Sequence, residues 1–108
     1  MLRMTLQTRL LLGALLVEPD RERYGLELRD LVGLATGTIY PILARLEKAG
    51  WVASTWEDPA VHEAEGRPRR RLYRLTPDGA ARAEAAIADA ERDGHRTLSW
   101  GTAERGLT

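Results

Sequence analysis

The chain contains no cysteine. That absence removes a disulfide framework, a thiolate metal site and a cysteine nucleophile together. It also lacks a long apolar run. The longest, Leu10 to Val17, has eight residues and includes Gly13, whereas a membrane span needs about 20. The start of the chain has no secretory layout, because Arg9 interrupts the apolar stretch and no small-residue cleavage site follows. Histidine is scarce, and His62 and His95 show no ligand spacing. Ser54 and Ser99 stand outside any Gly-x-Ser-x-Gly setting. Gly33 and Gly37 precede a helical pattern but follow no strand pattern, so no dinucleotide site is implied. Glu57-Asp58 reads as an acidic turn and not as a positioned carboxylate pair. The expectation is a non-enzyme without metal or cofactor.

Net charge is absent as well: 16 Lys and Arg balance 16 Asp and Glu. The cancellation hides an uneven distribution. Residues 1–75 hold twelve basic and ten acidic groups, and residues 76–108 hold four and six. Arg67, Arg69, Arg70, Arg71 and Arg74 form one dense basic patch, preceded by the acidic stretch 57–65. What remains is an ordinary folded composition. The 108 residues are 44% apolar and 30% charged, enough for one globular domain.

The apolar spacing gives the elements. Leu6, Leu10, Ala14 and Val17, widened by Leu11 and Leu15, predict a first helix over about residues 5–17. Pro19 ends it. A second helix is predicted near residues 24–32, with Leu28, Leu31 and Val32 on one face, stopping at Gly33. A third opens at Thr36 as N-cap, carries Pro41 in its first turn, and turns Ile39, Ile42, Leu43 and Leu46 inward. Gly50 closes it. The period then shortens. Residues 51–56 predict a strand with Val52, Ser54 and Trp56 on one side. Residues 72–75 predict another, with Tyr73 and Leu75 inward and Arg74 outward. An irregular loop of about 12 residues, containing Pro59, Gly66 and Pro68, would join them. Thr76 caps a fourth helix with Pro77 in its first turn. That helix has a thin face of Ala83, Ile87 and Ala90, and a tail expected to fray from Gly94.

This order, three helices, a strand, a basic wing, a strand and a helix, is that of a winged helix-turn-helix: mainly α with a β-hairpin wing. Three segments narrow it. They are Arg23-Tyr24-Gly25-Leu26-Glu27-Leu28, the run from Gly37-Thr38-Ile39-Tyr40-Pro41 to Gly50-Trp51-Val52, and the run from Gly66-Arg67-Pro68 through Leu75-Thr76-Pro77-Asp78-Gly79. Together they resemble the PadR-like family of bacterial transcriptional regulators, in its small subfamily with a short C-terminal dimerisation helix. The resemblance implies a cytoplasmic, dimeric, DNA-binding repressor. Residues 1–79 would form the DNA-binding domain, and residues 80–108 the dimerisation helix and tail.

The residues fit that expectation. With the third helix's apolar stripe inward, Gly37, Pro41, Ala44 and Lys48 face out, flanked by Thr38, Tyr40 and Arg45. Thr36, Thr38, Tyr40 and Pro41 sit near a helix N-terminus, where the dipole favours anions. Arg45 suits a guanine edge or a phosphate, and Lys48 a phosphate. On the wing, Arg67, Arg69 and Arg70 are expected to contact DNA, and Arg71 and Arg74 to pair structurally. The competing reading is a solvated polar helix face and a wing neutralised by Glu57, Asp58, Glu63 and Glu65. The first helix is richer in leucine than a small core uses. Leu11, Leu12 and Leu15, with Ala83, Ile87, Ala90 and Trp100, are therefore expected at a two-fold dimer interface matched to a palindromic operator. For Trp100 a loosely ordered tail is an equal alternative. A small-molecule or protein effector would release the operator. The alternative function is a winged-helix module for protein interaction or DNA architecture.

Overall fold

The computed structural model describes the backbone of residues 2–106 and the side chains of residues 2–93. Eight elements follow in order: α1 (Leu6–Val17), β1 (Arg23–Tyr24), α2 (Gly25–Val32), α3 (Thr36–Lys48), β2 (Val52–Trp56), α4 (Pro59–Glu65), β3 (Arg71–Leu75) and α5 (Pro77–Gly106). Most ends have a visible chemical cause. The Thr5 hydroxyl accepts the Thr8 N–H at 3.2 Å and caps α1. Gly33 leaves α2 with φ 72° and Gly50 follows α3 with φ 81°, in the left-handed region that glycine enters without cost. Thr76 caps α5 by accepting the Gly79 N–H at 2.9 Å, and donates its own proton to the Gly50 carbonyl at 2.8 Å.

The core lies where α1, α2, α3 and the start of α5 meet the sheet. Leu11, Leu12, Leu15, Leu28, Ile39, Leu43, Leu46, Leu75 and Ala83 are all at most 1% exposed. Each fully buried aliphatic side chain contributes about 1.5–3 kcal/mol. The mainly α winged helix-turn-helix read from the sequence is the architecture observed.

Several expectations need correction. Leu11, Leu12, Leu15 and Ala83 were assigned to a partner, but they fill the protomer's own core. The free apolar face of α1 is Leu6, Leu10 and Val17, exposed by 59%, 43% and 75%. The first turns of α5 join the same core through Ala80, Ala83 and Ile87. The sheet has three strands and not two: β1 pairs antiparallel with β3 through Arg23↔Tyr73 and Tyr24↔Leu72, giving the order β1-β3-β2. The segment Arg23–Tyr24 is thus extended, and α2 begins only at Gly25. On β2, Val52 is buried while Trp56, two residues beyond Ser54, is 52% exposed. The expected irregular wing loop contains α4, capped by the Asp58 carboxylate on the Ala60 N–H at 2.9 Å and closed by Gly66 at φ 64°. Finally, α5 continues past Gly94 to Gly106, a helix of 30 residues and therefore about 45 Å long. The Trp100 side chain lies outside the described residues.

Two glycines mark close approaches. A Cβ on Gly79 would overlap the Trp51 carbonyl, so the first turn of α5 lies directly on the start of β2. A Cβ on Gly25 would overlap the hydroxyl end of the Tyr40 ring. The Tyr-Gly and Ile-Tyr-Pro segments, separate in sequence, therefore touch.

Candidate nucleic-acid interface

Helix α3 divides cleanly. Ile39, Ile42, Leu43 and Leu46 are buried. Gly37, Tyr40, Pro41, Ala44, Arg45 and Lys48 are exposed, with Thr36 and Thr38 half-buried. The N-cap is Ala35 and not Thr36, and no side chain caps the helix. Thr38 and Ile39 return their N–H groups to the Ala35 carbonyl at 2.9 and 3.1 Å. Pro41 lies one turn deeper than expected, inside the helix. Its missing N–H deprives the Gly37 carbonyl of its intrahelical donor, leaving an acceptor on the exposed side. Among the described residues, neither Arg45 nor Lys48 has an ion-pair partner.

The wing is organised by Glu57, which is 8% exposed. Its carboxylate receives two guanidinium bonds from Arg67, at 2.5 and 3.0 Å, and the Arg70 backbone N–H at 2.8 Å. Its backbone carbonyl accepts Arg69 Nε at 2.8 Å, and its N–H donates to the Arg70 carbonyl at 2.9 Å. The hydrogen bonds from Arg67 are the largest cause that holds the Glu57 pKa down at about 2. The same bonds raise that of Arg67. Arg67 also meets Glu65 at 2.5 Å. Its expected role as a DNA contact is therefore corrected: it closes the wing, as the neutralisation reading had it.

Three of the other wing cations rest on rings. The Arg70 guanidinium carbon lies 3.8 Å from the centre of the Tyr24 ring. Arg69 and Arg71 lie 5.8 and 5.4 Å from the Trp56 ring. Arg71 is also paired structurally, with Glu47 at 3.6 Å and Ser54 Oγ at 2.9 Å. Arg74, expected to pair, has no carboxylate partner among the described residues. The strand register explains this. Tyr24, Ala53, Thr55, Leu72 and Arg74 share the outer face of the sheet, and none of them is acidic. Arg70 continues the alternation of β3 onto that face. The outward side of Arg74 was readable from the alternation of residues 72–75; the proximity of Tyr24 to Arg70 was not, because β1 has only two residues.

Elsewhere, Arg9, Arg45, Lys48, Arg82 and Trp51 line an open groove of about 1150 Å³ among α1, α3 and α5. Ala90, expected at the dimer interface, lies on its wall. Among the described residues no group of three His, Cys, Asp or Glu side chains could hold a metal. No described helix is long and apolar enough to cross a membrane.

A three-helix core, a third helix with one polar face and a hairpin bearing arginines define the winged-helix regulator class. The solved structures agree. A mutant of Escherichia coli MarR superposes with TM-score 0.68 at 22% identity, over 91% of this chain and 65% of its own. A PadR-like regulator from Bacillus cereus gives 0.63 at 21%, over 87% and 88%. Bordetella bronchiseptica BpsR, whose DNA binding is regulated by 6-hydroxynicotinic acid, gives 0.61 at 21%, over 83% and 59%. The chain thus spans just under two thirds of the MarR neighbour. At such identities the likeness speaks for the fold alone. No curated protein matches the sequence. The PadR-like transcriptional regulator model matches residues 12–85, and the chain belongs to that family.

Proposed function

We propose that this transcriptional regulator is a dimeric repressor that binds a palindromic operator in double-stranded DNA. The observation that carries the reading is the set of cations that have, among the described residues, no carboxylate partner on the two exposed elements: Arg45 and Lys48 on α3, and Arg69, Arg70 and Arg74 on the wing. Cations left unpaired in this way are free to neutralise phosphates. Thr36, Thr38, Tyr40, Pro41 and the Gly37 carbonyl surround the uncapped start of α3, where base edges and phosphates would be met.

The two-fold contact would be built from the outer face of α1, namely Leu6, Leu10 and Val17, and the distal part of α5. Ile87 and Ala90 stand at its approach, and Trp100 lies in the segment beyond. A small-molecule or protein effector would act from the groove lined by Arg9, Arg45, Trp51, Asp89 and Asp93. The protein would work in the cytoplasm and without catalysis.

The test is selection of bound duplexes from a random pool, followed by binding measurements on the winner. The expected outcome is a two-fold symmetric site with half-sites about one helical turn apart, lost in Arg45→Ala with the fold intact. Recovery of no sequence, with retention of a protein partner, would favour the interaction module instead.

A further inference from the structure

Arg70 is a wing cation whose side chain is held on a ring and, among the described residues, by no carboxylate. Its backbone is pinned at both ends by Glu57, through N–H to carboxylate at 2.8 Å and carbonyl to N–H at 2.9 Å. Its guanidinium carbon lies over the Tyr24 ring, 3.8 Å from the ring centre. Tyr24 is itself fixed by pairing with Leu72 in β3. The next residue, Gly25, is the one the Tyr40 ring covers. One dipeptide therefore receives a side chain from the wing on one residue and a side chain from the recognition helix on the other.

From this arrangement we infer that Tyr24 is a positioning residue for duplex recognition: its ring presets the Arg70 guanidinium for a phosphate, in fixed relation to Tyr40. The physical basis is preorganisation. A free arginine side chain loses rotamer entropy when it is immobilised on a ligand. A ring beneath the guanidinium takes up that cost before DNA arrives, while leaving the N–H fork in the guanidinium plane free to donate. A carboxylate would hold the side chain equally well but would compete with the phosphate, which is what Glu57 and Glu65 do to Arg67. Tyr24 touches no DNA in this scheme; it acts through Arg70. The inference rests on the DNA-binding reading above.

The experiment is a double-mutant cycle on the selected operator duplex, with salt dependence, using Tyr24→Leu, Tyr24→Phe, Arg70→Ala and the pair Tyr24→Leu/Arg70→Ala. Tyr24→Leu is expected to weaken binding roughly two- to tenfold for each half-site, the range of one rotamer-rich side chain immobilised on binding. Tyr24→Phe keeps the ring and should stay within about twofold of wild type. In the Arg70→Ala background Tyr24→Leu should have almost no further effect, because the contact it serves is gone. In the free protein, the Arg70 side-chain protons should show an NMR ring-current shift that survives in Tyr24→Phe and vanishes in Tyr24→Leu. Additive losses in the double variant, or unchanged affinity in Tyr24→Leu, would overturn the role of Tyr24 while leaving DNA binding in place. Absence of duplex binding by the wild type, with the ring-current shift intact, would overturn the DNA reading and the role of Tyr24 with it.

Discussion

Gly25 and Gly79 face the same geometric problem with opposite remedies. A Cβ on Gly79 would meet the Trp51 carbonyl, which is main chain and also accepts the Thr76 N–H at 2.9 Å. It has nowhere to go. Gly79→Ala is expected to cost about 1–3 kcal/mol, the range of overpacking, read as a lower midpoint in urea at unchanged m-value. A Cβ on Gly25 would meet only the far end of the Tyr40 side chain, which is 42% exposed and can swing into solvent. Gly25→Ala should leave the midpoint within about 0.5 kcal/mol while weakening operator binding, because it displaces Tyr40. Equal stability losses in the two variants would contradict this contrast. Glu57 supplies a pH prediction at the same scale. Its folded pKa, about 2, lies below the ordinary 4.5. The clamp therefore contributes in full above pH 4.5 and is lost as pH falls from there through about 2. Glu57→Gln should melt below wild type at neutral pH, and the gap should close across that acid window. A constant gap would show that the charge of Glu57 is irrelevant to the wing.

At the scale of elements, the two α1 faces make separable predictions. Leu11→Ala opens a void in the core of one protomer and should cost about 2–5 kcal/mol by denaturant unfolding. Leu10→Asp lies on the exposed face, should hardly change protomer unfolding, and should convert a dimer to a monomer in sedimentation. A dimer that survives Leu10→Asp would move the interface off α1. The same helix shows what was legible in the sequence. Its apolar residues run almost all round, so periodicity announced a helix but could not say which leucines face inward. In α3 the stripe of Ile39, Ile42, Leu43 and Leu46 has a single direction, and both its faces were readable. β1 escaped because two residues have no period, and its pairing with Tyr73 and Leu72 is made by chain more than 40 positions away. α4 escaped because its seven residues begin at Pro59 and stop before Gly66, both of which also mark loops. The pairing of Arg67 and the lack of a carboxylate at Arg74 among the described residues run opposite to the sequence expectation, because pairing depends on which carboxylate the fold brings near. Glu57 reaches Arg67 across the hairpin, and the outer sheet face brings Arg74 none.

For the whole molecule, the balanced charge sets the character of binding. With 16 cations against 16 anions, the net charge supplies no long-range attraction, so on the proposed reading DNA would be drawn in by the local patch. Among the described residues, α3 and the wing of each protomer offer five cations without a carboxylate partner: Arg45, Lys48, Arg69, Arg70 and Arg74. A dimer would carry twice that number, some of them spent on bases or left short of the duplex. With about 6–10 phosphates met per dimer, affinity should fall roughly 10³–10⁵-fold between 50 and 200 mM salt. The log–log slope should lie near about −5 to −9. Leu10→Asp turns this into a test of assembly. A monomer engages one half-site, so its slope should be about half that of the dimer, at much weaker affinity. Arg67→Ala should lower affinity through a loosened wing but leave the slope nearly unchanged, since Arg67 is already neutralised by Glu57 and Glu65. Arg74→Ala should reduce the slope by about 0.9 for each protomer bound. If Arg67→Ala shifts the slope as much as Arg74→Ala does, the clamp opens on DNA and Arg67 reaches a phosphate after all.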